Sequence, residues 1–164
     1  MTRKRQRATP PETKDRQEAN ALQPLRKHAV LLGLLGILLL GGVLRLAAFG
    51  TSPPGLNQDE AAEAWNAWTI LHTGKDQTGR PWPLLYSRCH GSNRSTLYMY
   101  LLIPFEFVAG LSPLVNRAPS PLIGLLTIVV TYAVARRLFG VEAGLLAASM
   151  LALNPWHIQL SRWG

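Results

Sequence analysis

The sequence contains a single cysteine, Cys89, among its 164 residues. No disulfide can therefore form within the chain, and no cluster of thiolates can bind a metal. The sequence also lacks a glycine-rich loop of the kind that cradles the phosphates of a nucleotide. These absences exclude a disulfide-stapled fold and a thiolate metal centre, and they disfavour a nucleotide as the substrate.

Charge is also scarce, because only 16% of the residues are charged while 48% are hydrophobic. The apolar residues come in blocks, and a run near twenty apolar residues is typical of a membrane span. Residues 29–49 form the first run, which covers about 30 Å as a helix. It is too long and too far from the N-terminus for a cleaved signal peptide. Its one charge, Arg45, either reaches the outer interface or faces a lipid phosphate.

The formal net charge of +8 is concentrated in residues 1–27, which hold eight Lys and Arg against three acids. This stretch is rich in Pro, Gln and Thr and offers little to bury, so we expect a disordered basic tail on the cytoplasmic side of a span. Binding of the tail to anionic lipid remains an alternative. The charge lies on a tail rather than on a folded surface, so we expect no nucleic-acid partner.

Two further apolar segments, 121–138 and 141–157, are joined by a short turn that contains Arg136 and Arg137. They read as a helical hairpin with small residues at its interface, including Gly124, Gly144, Ala147 and Ala148. A basic turn stays cytoplasmic, which makes residues 50–120 one large outer loop and returns residues 158–164 to the outside. We therefore expect a multi-pass protein of the plasma (inner) membrane with a cytoplasmic N-terminus.

The outer loop contains a second apolar stretch, residues 96–111, which is short and interrupted by Pro104 and Glu106. If this stretch crossed the membrane, the basic turn at 136–137 would fall outside, against the charge rule. An interfacial helix at 96–111 avoids that conflict. We expect three spans rather than four.

The loop also contains "GLNQDEAAEAWNAWTILHTGKD", residues 55–76. Asn57 followed three residues later by Glu60 fits a capping box, and it predicts a helix over about 59–72. Trp65 shares one face with other apolar residues, while Asp59, Glu63 and Asn66 lie on another face, as in a helix within the lipid headgroup layer. Asp59 is either only a first-turn anion that complements the helix dipole or a catalytic carboxylate at the bilayer surface.

The remaining candidates are basic. Arg94 and His90 precede the second interfacial helix, and His157 and Arg162 follow the third predicted span. His90 is a weak candidate metal ligand because no second ligand stands at a useful spacing. Arg94 is also explained as a solvated loop charge, and Arg162 as an anchor that flanks the span.

Several motifs in fixed order nevertheless resemble a family. "DEA" opens a helix after the first span, and "TGKD", "STLYMYLLIPF", "RAPSPLIGLLTIVVTYAVARRLFG" and "LALNPWHIQLSR" follow in turn. Together they resemble the N-terminal part of the polytopic glycosyltransferases of the GT-C superfamily. The likeness is strongest to the protein O-mannosyltransferase branch (glycosyltransferase family 39-like), which includes bacterial aminoarabinose transferases. It covers residues 28–164.

The resemblance implies an all-α polytopic membrane protein, the N-terminal part of a GT-C bundle with juxtamembrane helices in the first outer loop. It implies inverting transfer of a sugar from a polyprenyl-phosphate donor to a glycan, lipid or protein acceptor at the extracytoplasmic face. Asp59 matches the catalytic base, and Glu60 completes the acidic pair. The lipid phosphate is expected near Arg162, Arg94, Arg45 and His157. A divalent metal is left open, because some relatives use one and others do not.

Two rival functions come from other classes. A non-catalytic membrane anchor or interaction protein would use the same loop without chemistry, and a truncated glycosyltransferase would be inactive. The chain stops directly after a span, so we expect it to be the front of a longer protein. A transporter segment is a weaker interpretation because no span carries a charge near its middle.

Overall fold

The computed structural model describes residues 12–47, 49–51, 54–89 and 91–163, with side chains from residue 23 onward. The chain is mostly helical. The elements, in chain order, are α1 (Glu12–Leu46), α2 (Gln58–Thr73), β1 (Tyr86–Cys89), β2 (Ser92–Ser95), α3 (Thr96–Ala109), α4 (Pro113–Arg117), α5 (Pro119–Phe139), α6 (Val141–Leu153) and α7 (Pro155–Leu160).

Helix α1 begins at Glu12, so the prediction of a disordered tail is wrong for residues 12–27. The reason is that the apolar run already supplies the costly helix nucleus, and each further residue then adds a hydrogen bond. Glu, Gln, Lys and Arg extend a helix at little cost. The part of the tail before Glu12 lies outside the described residues.

Two helices are long and apolar enough to cross a membrane, judged by length and composition. They are Gln23–Leu46, which lies in α1, and Pro113–Phe139, which combines α4 and α5. The predicted third span, 141–157, is instead divided into α6 and the short α7. The 13 residues of α6 cover about 20 Å, less than the roughly 30 Å of a bilayer core.

Helix α6 packs along α5 and α1 to form one apolar core. The buried side chains of this core are Ile128, Tyr132, Ala148 and Ala152, and partly buried residues of α1 pack against them. A Cβ at the buried Gly144 would lie 3.0 Å from the Tyr132 carbonyl oxygen. The close α5–α6 contact therefore depends on a small residue there, as the sequence pattern predicts.

A second cluster lies between α2, α3 and the strands. It contains Ala62, Ala67, Cys89, Met99 and Leu102. The two helices predicted in the outer loop are present as α2 and α3. The antiparallel pair β1–β2, in which Tyr86 faces Ser95, was not predicted. Strands of four largely polar residues carry too little alternation to be read from the sequence.

The orientation of α2 differs from the prediction at Asn66. Asn66 was placed on the polar face, yet its side chain is fully buried. Its amide donates to the Ala62 carbonyl at 2.8 Å and to Cys89 Sγ at 3.0 Å, and its Oδ1 accepts from the Gln77 backbone N–H at 3.0 Å. Asn66 therefore fastens the following loop to α2, because a buried amide is stable only when its hydrogen bonds are made.

Candidate functional site

The start of α2 has the predicted capping box. Asn57 Oδ1 accepts from the Glu60 backbone N–H at 2.8 Å, and Glu60 Oε2 accepts from the Asn57 backbone N–H at 2.9 Å. Two backbone N–H groups at the helix start, which have no partner within the helix, are thereby satisfied. The helix start, and with it the direction of Asp59, is fixed by local sequence.

Glu60 is also held from the other side by Arg117, next to the start of α5. Arg117 donates from Nε to Glu60 Oε1 at 3.0 Å and from Nη2 to Glu60 Oε2 at 2.9 Å, and both side chains are almost fully buried. Asn116 adds a bond to the Glu60 carbonyl at 3.2 Å. A buried carboxylate that accepts two hydrogen bonds from one arginine is held in a fixed orientation, and both of its oxygens are already engaged. This geometry favours a positioning role for Glu60, locking α2 to α4, over contact with a substrate.

Asp59, one residue earlier, is turned outward. Its side chain is 52% exposed and forms an ion pair through Oδ1 with Arg94, whose side chain is 34% exposed. Arg94 belongs to β2, so the unpredicted hairpin is what brings this cation to the start of α2. The structure thus joins two of the predicted site residues. It leaves the Asp59 carboxylate accessible from solvent.

One turn further along α2, Glu63 lines a cavity of about 480 Å³. The wall of this central cavity comes from α2, α3, α5 and α7 and consists of Glu63, Tyr98, Ser120, Ile123, Gly124, Thr127, His157, Leu160, Ser161 and Trp163. Burial raises the pKa of Glu63, and Arg94 opposes that rise while Asp59 and Glu60 add to it. Glu63 is not among the site residues predicted from the sequence, although its spacing of four from Asp59 places the two on one helix face.

Tyr98 and Ser120 form the part of the wall next to Glu63. The Tyr98 hydroxyl donates to the Asn116 carbonyl at 2.8 Å and lies 3.1 Å from Ser120 Oγ. Burial raises the pKa of Tyr98 to about 12, so the phenol keeps its proton and stays a donor. The cavity therefore has hydroxyl groups beside a carboxyl group.

The opposite wall contains His157, which is bonded to Arg45. Arg45 Nη2 donates to His157 Nδ1 at 2.6 Å, and Nη1 donates to the carbonyls of Gly41 at 2.9 Å and Ala152 at 3.2 Å. A guanidinium has no acceptor, so Nδ1 must accept and the neutral ring carries its proton on Nε2. Arg45, close to the C-terminal end of α1, thereby connects this helix to the C-terminal end of α6 and to α7.

Arg162 makes the reciprocal connection, because its Nη2 donates to the Leu44 carbonyl of α1 at 2.7 Å. Helix C-termini leave carbonyls without partners, and cations near them are favourable. Arg162 therefore acts first as an anchor, one of the alternatives that the sequence left open, and Arg45 binds helix carbonyls in the same way.

The two arginines retain unused donors. Nε of Arg45 and Nε of Arg162 are both buried and have no hydrogen-bond partner. Neither guanidinium is paired with a carboxylate of the described residues. A Cβ on Gly124, a residue of the cavity wall, would lie 3.1 Å from Arg45 Nε and 3.0 Å from Ser161 Cβ. This wall of the cavity consequently has uncompensated positive charge directly behind it.

The predicted residues thus fall into three groups. Asp59 and Arg94 pair at the solvent-facing start of α2, Glu60 is buried in the helix contact, and Arg45, His157 and Arg162 gather at the far wall. Glu63 connects the first and third groups through the cavity. His90, the candidate metal ligand, lies outside the described residues, and within the described ranges no three His, Cys, Asp or Glu side chains cluster as metal ligands would.

Comparison with known proteins identifies no relative of this chain. No family model matches the chain, and neither the curated proteins nor the solved structures contain a significant match.

Proposed function

We propose that the chain is a membrane glycosyltransferase that resembles the GT-C superfamily. It would transfer a sugar, with inversion, from a polyprenyl-phosphate donor to a hydroxyl acceptor at the extracytoplasmic face of the membrane. The observation that carries the proposal is the central cavity. Its wall contains the carboxyl group of Glu63, one helical turn from Asp59, and Gly124, behind which lies the unpaired Nε–H of Arg45.

Asp59 is proposed as the general base. Its Oδ1 is held by Arg94, which leaves Oδ2 of a half-exposed carboxylate to accept a proton. The acceptor hydroxyl loses its proton to Asp59 as its oxygen attacks the anomeric carbon. The bond from that carbon to the phosphate oxygen breaks on the opposite face, and the electron pair leaves with the lipid phosphate. A positioned base of this kind contributes about 10²–10⁴-fold in rate.

The phosphate is proposed to lie at the wall formed by His157 and backed by Arg45. The Nε2–H of neutral His157 is a donor, and the buried Nε–H of Arg45 lacks an acceptor. Donors fixed in place before the reaction stabilise charge that develops on a leaving phosphate. Arg94 was predicted at the phosphate as well, but its ion pair with Asp59 favours a role in orienting the base.

Glu63 is proposed to bind sugar hydroxyls inside the cavity. It lies one helical turn from Asp59, and Trp163 of the same cavity offers an aromatic face. A carboxyl, several hydroxyls and an indole are suitable groups for a saccharide, whose surface has both hydroxyl groups and apolar C–H faces.

The test is transfer activity of the complete gene product with Asp59→Asn, assayed in membranes with lipid-linked donor. We expect a loss of about 10²–10⁴-fold, because the base is removed while the shape is kept. Arg94→Gln is the matched control, since it breaks the same ion pair but leaves the carboxylate, and it should cost less. A wild-type rate for correctly inserted Asp59→Asn would reject Asp59 as the base.

Glu60→Gln separates positioning from chemistry. Breaking one partner of a buried ion pair costs about 3–5 kcal/mol of stability. We therefore expect lower thermal stability for Glu60→Gln, and any activity loss should follow the loss of folded protein. A fully stable but inactive Glu60→Gln would move the catalytic role by one residue.

The structure offers one observation for the rival, a non-catalytic anchor. Each candidate cation except Arg94 has a hydrogen bond to a helix carbonyl, which a purely structural protein would also need. In that case Asp59→Asn changes stability and no transfer is detected with any lipid-linked sugar.

A further inference from the structure

Three large apolar side chains stand exposed at the loop that precedes β1. Trp82 is 59% exposed, Leu84 is 81% exposed and Leu85 is 84% exposed. We call residues 82–85 the apolar tip. Single exposed leucines are ordinary on protein surfaces, but an exposed aromatic and two leucines within four residues form a patch.

The loop holds the apolar tip rigidly. Trp82 has a φ of +39°, a strained value for a bulky side chain. Its backbone N–H donates to the Gly74 carbonyl at 2.9 Å. The Leu84 carbonyl accepts from Thr96 Oγ1 at 2.6 Å, which ties the tip to the start of α3. Strain that the surrounding structure maintains is a pointer to function, and here it turns an indole outward.

The rim of the apolar tip is positively charged. Lys75, Arg80 and Arg88 are all exposed. Asp76 is the single acid of residues 74–89, and it is 4% exposed. Its oxygens accept from the Arg80 backbone N–H at 2.9 Å and from Ser87 Oγ at 2.8 Å. The charge that the tip presents outward is therefore of one sign.

Arg80 is held at this rim by Tyr86. Its guanidinium lies 4.6 Å from the ring centroid and donates to the Tyr86 hydroxyl at 3.1 Å. The stacking keeps a cation beside the apolar side chains rather than free in solvent.

We propose that the apolar tip docks into an anionic lipid surface, with Trp82, Leu84 and Leu85 in the headgroup layer and the cationic rim against lipid phosphates. Trp prefers the membrane interface, and clustered Lys and Arg are attracted to anionic lipids. The lipid surface would be that of the membrane around the chain itself, because two of its helices are long and apolar enough to cross a membrane. A protein partner would have to match an apolar patch whose exposed charged neighbours in residues 74–89 are all basic. The proposal is independent of glycosyl transfer.

The test places a spin label on the tip of the complete chain reconstituted in vesicles. Leu85→Cys is labelled in a Cys89→Ser background, and Ser92→Cys, exposed at the turn of the hairpin, is the matched control. Collision with oxygen is compared with collision with a water-soluble nickel chelate. The label at 85 should favour oxygen and the label at 92 should favour nickel. Equal nickel access at both positions overturns the proposal, and it is the result expected if the tip docks to a protein instead.

The lipid charge is tested in the same samples. Phosphatidylcholine vesicles with phosphatidylglycerol should draw the label at 85 deeper than phosphatidylcholine alone, and Arg80→Gln with Arg88→Gln should abolish that difference. No dependence on phosphatidylglycerol overturns the anionic part of the proposal.

A second measurement keeps the native cysteine, in case Cys89→Ser disturbs the fold. Lipids brominated near the headgroup quench tryptophans at the interface. Trp82→Phe should lower the quenched fraction of the emission, because it removes a lipid-contacting indole. An unchanged or higher quenched fraction contradicts docking of the tip.

Discussion

At the residue scale, Glu106 is the most unusual side chain. It is 2% exposed, and neither of its carboxyl oxygens has a hydrogen-bond partner. Burial raises its pKa from 4.5 to about 7. An isolated carboxylate is costly to bury, so the group takes up a proton instead. In the sequence Glu106 interrupts the apolar stretch 96–111 and disfavours a span there, and nothing in its neighbours predicts an unpaired acid.

Glu106 makes stability depend on pH. Its folded pKa of about 7 lies above the ordinary 4.5, so between these values the folded state holds a proton that the unfolded state releases. Stability therefore falls as pH rises through this window. Glu106→Gln should show a smaller decrease in thermal midpoint across it, measured in detergent. Glu142→Gln, at an exposed position, is the control, and an equal decrease in all three proteins would contradict the prediction.

Asp59 and Glu60 are adjacent acids, and their order in the sequence does not show which of the two is buried. Successive side chains on a helix point about 100° apart, so one of a doublet faces inward and the other outward. The capping box involves Asn57 and Glu60 and leaves Asp59 out, but it does not by itself show which acid is buried. Arg117, 57 positions away in the chain, decides that Glu60 is the buried one. The acid pair predicted as one catalytic unit therefore divides into a candidate base and a positioning residue.

At the element scale, the α5–α6 contact depends on Gly144. A Cβ there would lie 2.9 Å from Arg136 Cβ and 3.0 Å from the Tyr132 carbonyl. Neither atom can move without shifting the α5 backbone. Since overpacking of this kind costs about 1–3 kcal/mol, Gly144→Ala should lower the thermal midpoint.

Gly36 provides the matched control. It lies inside α1, and a Cβ there would meet nothing within 4 Å. Gly36→Ala should be neutral or stabilising by up to about 1 kcal/mol, because alanine is the better helix former. If both variants changed the midpoint alike, the effect would come from helix propensity rather than from the α5–α6 contact.

The elements themselves were largely predictable. Apolar runs predicted α1 and α5, and the cap at Asn57 predicted the start of α2. The segment predicted as the third span is divided because Asn154 both ends α6 and caps α7, its Oδ1 accepting from the His157 backbone N–H at 3.1 Å. The hairpin was missed because its strands are fixed by pairing with each other and with α2, and not by their own pattern.

At the scale of the whole molecule, the proposed function requires the start of α2 and the α5–α6 turn to lie on opposite sides of the membrane. Gln58→Cys and Glu142→Cys, both at exposed positions, test this in a Cys89→Ser background. A membrane-impermeant maleimide applied to intact cells should label position 58 and not position 142. Labelling of 142 alone would place Asp59 in the cytosol and remove the lipid-linked donor from its reach.

The sequence by itself determined the mainly helical character, two of the three predicted spans as helices of spanning length, and the capped start of α2. These depend on periodicity, run length and contacts over three or four residues. Only the tertiary structure decided that Glu60 faces Arg117, that Arg94 reaches Asp59, and that Glu63 shares a cavity with His157. Each of these pairings joins residues on different elements, and no local pattern specifies which helix face meets which. The physical reason is that burial and pairing of charges depend on neighbours far away in the chain.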